Sequence, residues 1–207
     1  MQLAHAVSDG ALVLSTLTAI RSLITGAPLG AQRPPLYAAA FGLSVMALAA
    51  FVGVLRFAGA DALQPLHSTL SAFATSTSMP LLGLAAVALT GPLALTRRGW
   101  IQLTGLLAGL FAVSTLLGVE PIYGLGIGAL GTASALLVGL RSLGRARRGG
   151  VLLTSGAVLV LVAGLGVGTT GELGPFDRLD IFHYLLALAN LAFGPALVLL
   201  ARRAAQP

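Results

Sequence analysis

The chain has 207 residues, of which 57% are hydrophobic and only 9% charged, and it carries a net charge of +6. Soluble domains carry about 25% charged residues, so a water-solvated globule is excluded. The absence of cysteine and lysine further excludes disulfides, thiolate chemistry, a retinal Schiff base and a Walker-type phosphate loop.

With a mean hydropathy of +0.95, the bilayer is the expected solvent. A membrane span takes roughly 20 apolar residues, so the whole of 1–207 is predicted to be one all-α domain, a bundle of seven transmembrane helices. In chain order the helices are expected over 8–26, 36–57, 66–90, 99–118, 122–141, 151–169 and 180–201. The breaks are Pro34-Pro35, Gly91-Pro92, Glu120-Pro121, Gly149-Gly150 and Gly174-Pro175, all turn-forming pairs. Short connections predict that sequential helices are antiparallel neighbours. No positive charge precedes Arg21, so a cleavable leader is not expected and Met1 should be retained.

Arg33, Arg97, Arg98, Arg141, Arg145, Arg147, Arg148, Arg202 and Arg203 follow the odd-numbered helices. The positive-inside rule makes that face cytoplasmic. Asp9, Asp61, Glu120, Glu172, Asp177 and Asp180 fall on the other face, with Arg56 and Arg178. The N-terminus is therefore expected outside and the C-terminus in the cytoplasm, in an inner membrane of bacterial type. The pI near 11.3 reflects this topology signal, and no nucleic-acid partner is expected. Gly105-xxx-Gly109, Gly124-xxx-Gly128 and Gly164-xxx-Gly168 let helices approach closely, within the chain or in a homo-oligomer.

Polar side chains at membrane depth mark candidate sites. His67, Ser71, Thr75 and Ser78 recur at helical spacing on the third helix, either as a functional stripe or as hydroxyls bonded back to their own helix. Pro80 is expected to kink that helix. Asp180 and His183 share one face of the last helix, with Asn190 two turns deeper. Asp180 either holds the imidazole in one tautomer or serves the helix start. Ser8 and Asp9 are expected to cap the first helix and His5 to be solvated. Asp9, His67, Asp180 and His183 all lie within about two turns of helix starts that share one membrane face. Two histidines and a carboxylate suffice for a catalytic zinc with an open water position.

With these residues the chain resembles the seven-helix membrane hydrolases that include alkaline ceramidases and adiponectin receptors. The shared features are the helix count, an acid at the start of helix 1, a histidine with a hydroxyl four residues away, and a histidine opening the last helix. The chain is also similar to small bacterial seven-helix proteins with an Asp-Ile-Phe-His-like motif there. The resemblance implies zinc held by His67 and His183, although the second histidine of the family's last-helix pair falls on Ala187. Asp180 or Asp9 would then complete the metal shell or act as base, and Ser71 would orient the substrate. Three readings follow. The first is a zinc-dependent hydrolase of a lipid amide or ester at the outer side. The second is a transporter or receptor-like protein that binds a small molecule at the same cluster. The third is an accessory membrane protein whose polar residues are caps and packing.

Overall fold

A computed structural model describes residues 2–28, 30–91 and 93–206. Met1 and Pro92, named above at the start of the chain and in the Gly91-Pro92 break, lie outside the described residues. The chain forms helices α1 (Gln2–Gly26), α2 (Arg33–Phe57), α3 (Gln64–Thr90), α4 (Arg97–Leu116), α5 (Glu120–Ser142), α6 (Arg147–Leu161) and α7 (Arg178–Ala204). A π-helical turn, Val162–Val167, continues α6, and all seven helices are long and apolar enough to cross a membrane. Pro34-Pro35 and Pro121 sit in the first turns of α2 and α5, where a missing N–H costs nothing. α3 runs through Pro80 as one helix. Between α6 and α7 a short hairpin, β1 (Glu172–Leu173) with β2 (Phe176–Asp177), closes at Gly174-Pro175. Nothing in the hydrophobic pattern announces two strands this short.

The helices do not pack in sequence order. α1, α2, α3, α5, α6 and α7 form a closed ring, while α4 touches α2, α3 and α5 only lightly. The expectation that each helix lies beside its successor fails at α4, and the reason is local. A methyl group on Gly131 of α5 would overlap the Met79–Pro80 backbone of α3, and one on Gly83 of α3 would overlap Gly131. With no Cβ in the way, the α3 and α5 backbones approach closely. Gly124 and Gly128 face Ser76 and Thr75 in the same seam, so this glycine pair packs within the chain. Gly105, Gly109, Gly164 and Gly168 have open space where a side chain would be. α4 buries only Trp100, Leu107 and Ser114.

The core lies toward the middle and the arginine end, where Leu81, Leu82, Leu153, Phe193, Leu197 and Leu200 interlock. At the other end, the starts of α1, α3 and α7 meet the end of α2, and the bundle becomes polar.

Candidate functional site

α1 begins at Gln2, six residues earlier than the hydropathy pattern predicts. Asp9 and Ser8 therefore lie in the second turn of the helix and do not cap it, and both are buried. His5, Ser8 and Asp9 are spaced three and four apart, so all three project from one face toward α7. His5 is part of the site, its side chain only 12% exposed, which corrects its expected solvation. α7 starts at Arg178 and is capped by Asp177, whose side chain accepts from Leu179 N at 2.8 Å. Asp180 is thereby released from capping.

The carboxylates are shared out differently from the expected pairing. His183 Nδ1 lies 3.2 Å from Asp9 Oδ1 and 3.3 Å from Ser8 Oγ. Asp180 Oδ1 instead accepts from Ser8 Oγ at 2.7 Å and from His5 Nδ1 at 2.9 Å. His5 Nε2 is 3.8 Å from Asp177 Oδ2. With Asp9 ionised its carboxylate can only accept, and the contact then places the His183 proton on Nδ1 and leaves Nε2 as a lone pair. Asp9, not Asp180, fixes the tautomer of His183.

On the opposite wall, Arg56 Nη1 donates to His67 Nδ1 at 3.1 Å. Arg56 was not singled out by sequence, because its spacing to His67 spans a turn between two helices. A guanidinium can only donate, so His67 Nδ1 is the acceptor and the ring proton sits on Nε2. Phe57 separates the two outer histidines, with ring centroids 4.8 Å from His5 and 6.1 Å from His67. Gly53 of α2 leaves the space between the two walls. A methyl group there would overlap Asp9 Oδ2 and come within 3.0 Å of His67 Nε2. Asp9 Oδ2 is buried and has no hydrogen-bond partner among the described residues.

These groups open onto a cavity of about 260 Å³ lined by Asp9, His67, Ser71, Thr75 and His183, with an apolar floor that includes Leu12 and Met79. Thus α1, α3 and α7 contribute to one site, and Ser71 lies one turn below His67 within it. The α3 stripe divides. Thr75, Ser76 and Thr77 bond to carbonyls four residues back, whereas Ser78 turns away and donates to Gly42 O of α2 at 2.7 Å. Deeper still, Asn190 Nδ2 donates to Thr16 Oγ1 at 2.8 Å and ties α7 to α1.

The zinc implied by the family resemblance does not suit this donor set. To bind metal through Nε2, His67 would have to move its proton to Nδ1, where Arg56 already donates. Asp180 is committed to His5 and Ser8 and is not among the cavity-lining residues. Among the described residues, no three His, Asp or Glu side chains are grouped as a metal ion requires. The groups present are ones that can move protons. One imidazole contacts a carboxylate, and a second accepts from a guanidinium at Nδ1 and has its Nε2 at the cavity. Comparisons with protein-family models, curated proteins and solved structures found no match to this chain.

Proposed function

We propose that the chain is a multi-pass inner-membrane protein, acidic end outward, that hydrolyses an amide or ester of a membrane lipid by general base catalysis. The observation that carries this reading is the Asp9–His183 pair, with His183 Nε2 free at a small cavity whose floor is apolar. A carboxylate on Nδ1 fixes the tautomer and stabilises the imidazolium formed when Nε2 takes a proton. In the proposed step, His183 Nε2 removes a proton from water as its oxygen adds to the substrate carbonyl. The carbonyl oxygen becomes an oxyanion, which His67 Nε2–H faces and the Arg56 charge favours. Collapse breaks the C–N or C–O bond, and the proton on His183 passes to the departing amine or alcohol. A fatty acid and an amine or alcohol result. Ser71 orients the substrate from below.

The cavity is smaller than the ~300–1,000 Å³ of typical small-molecule sites. It suits the reacting segment of a lipid, with the remainder in the bilayer. In this reading the lipid enters from the side, between α5 and α6. These helices are tight at the arginine end, where Gly139 meets Thr154 and Gly150 meets Ser142, and the cavity is lined by both, through Leu125 and Gly128 of α5 and Val160 and Gly164 of α6 and its π turn. The π turn that contains Gly164 adds local width, a device common at functional sites.

The test is turnover of a fluorogenic lipid ester and a matching lipid amide by the chain in lipid nanodiscs. The unaltered chain should release product, and His183→Ala should lose about 10²–10⁴-fold, the usual worth of a general base. No turnover of either substrate, or full turnover by His183→Ala, would sink the reading.

A second reading rests on a different observation. The contacts run without a break from Asp177, 25% exposed, through His5, Asp180, Ser8 and His183 to Asp9, 1% exposed. Such a chain suits a site that binds a small molecule together with a proton. Stoichiometric proton uptake on ligand binding, without turnover, would select it.

A further inference from the structure

The arginine end carries a cleft that the catalytic reading does not use. It is a wedge of about 630 Å³ between the N-terminal halves of α2 and α4. Arg33 and Arg97 stand at its mouth, and Tyr37, Phe41, Trp100 and Ile101 line its apolar wall. Trp100 is 3% exposed and forms the back, while Tyr37, Phe41 and Ile101 are 45%, 44% and 62% exposed. α4 packs loosely on α2, which is what leaves the wedge open.

No acidic side chain among the described residues pairs with the arginines here. All six acidic residues belong to the opposite end of the bundle, and among the described residues every ion-pair contact is between a histidine and an aspartate there. Arg33 Nε is buried and has no acceptor among the described residues, and a buried donor left unpaired is costly. α2 and α4 both begin at the cleft, so the positive ends of their dipoles add to the two guanidiniums.

We propose that this cleft binds an anionic glycerophospholipid. Its phosphate lies between Arg33 and Arg97, and an acyl chain runs along Tyr37, Phe41 and Ile101 over Trp100. Guanidinium forks match phosphate oxygens, and a turn of the Arg33 side chain toward the phosphate gives its Nε–H the acceptor it lacks. The aromatic wall suits the lipid carbons just below the headgroup. A free anion would use the arginines and leave the apolar wall bare, and a neutral lipid would do the reverse. The cleft fits a molecule with both parts. In the proposed orientation it faces the cytoplasmic leaflet, where anionic lipids collect. The site is independent of hydrolysis at the other end.

Trp100 is the only tryptophan of the chain, so its fluorescence reports on this cleft alone. The experiment places the full chain in phosphatidylcholine vesicles doped with brominated phosphatidylglycerol or brominated phosphatidylcholine. Bromine quenches a tryptophan it touches. Phosphatidylglycerol should compete for the cleft roughly tenfold better than phosphatidylcholine, given near-surface gains per arginine that compound. The preference should fall below about twofold in Arg33→Gln/Arg97→Gln and survive in Arg141→Gln/Arg145→Gln, which removes the same charge from the same end. Equal quenching by the two lipids would overturn the proposal. So would equal loss in both double variants, which would mean diffuse attraction only, or displacement by millimolar glycerol phosphate, which would mean a soluble-anion site. If Arg33→Gln/Arg97→Gln does not fold, the unaltered chain decides through the lipid preference and the displacement arm.

Discussion

Gly53→Ala is the sharpest single perturbation of the site, because its expected sign is opposite to that of an ordinary helix substitution. Alanine is favoured over glycine inside a helix by about 1 kcal/mol. At Gly53 the new methyl would overlap Asp9 Oδ2 and crowd His67 Nε2 at 3.0 Å. Neither group can retreat freely, since Asp9 is 1% exposed and held at Oδ1 by His183, and His67 is held by Arg56. Forcing a methyl into a packed site costs about 1–3 kcal/mol. The upper part of that range applies here, leaving a net loss of about 1–2 kcal/mol after the helix gain. For a chain of this length Tm should fall by about 2–8 °C, with turnover reduced as Asp9 and His183 separate. The assay is thermal unfolding in detergent followed by Trp100 fluorescence, with Gly10→Ala as the reference. Gly10 lies on α1 with nothing near its missing side chain, so Gly10→Ala should leave Tm unchanged or raise it. Asp9→Ala removes the atom that the methyl meets, so the Asp9→Ala/Gly53→Ala double variant should be more stable than additivity allows. A Gly53→Ala protein as stable and active as the parent would refute the placement of Asp9 and His67 together against Gly53 of α2.

Four further outcomes test the rest of the account. Asp180→Asn should cost about 1–3 kcal/mol of stability by weakening its bonds to His5 and Ser8, yet reduce turnover less than Asp9→Asn does; the reverse order would restore Asp180 as the partner of His183. Zinc measured on purified protein should stay far below one per chain, whereas near-stoichiometric zinc that is lost in His67→Ala/His183→Ala would show that the tautomer argument at His67 is wrong. Gly131→Ala should destabilise by about 3 kcal/mol or more because the methyl meets backbone and not a flexible side chain, while Gly105→Ala should be neutral or mildly stabilising; equal effects would contradict the α3–α5 seam. Because the chain contains no cysteine, a Gln206→Cys variant labels at one site only, and an impermeant thiol reagent should reach it only from the cytoplasmic side.

The seven helices and the separation of charge to two ends were legible in the residue order, because both depend on local quantities. Twenty apolar residues and a turn pair mark a helix, and each short loop carries its own arginines or acids. Asp9, His67, Ser71 and His183 were likewise visible as polar groups at one depth. Their partners were not, since pairing depends on which faces meet. Reading α1 from residue 8 made Asp9 a cap and His5 a solvated residue. Starting it at Gln2 puts His5, Ser8 and Asp9 on one face against α7, and Asp9 takes His183 while Asp180 takes His5. The His5, Ser8, Asp9 spacing held that signal, but the polar start of α1 masked it. Arg56 had no comparable signal, because its contact with His67 crosses from the end of α2 to the start of α3. The displacement of α4 was also beyond sequence order. It follows from Gly83 and Gly131, whose bare backbones bring α3 against α5 and leave α4 outside with a cleft at its arginine end. Hydropathy thus determined which segments became helices and which end of the bundle each charge occupies. Which side chains share a proton, and which helices touch, was decided only when the backbones packed.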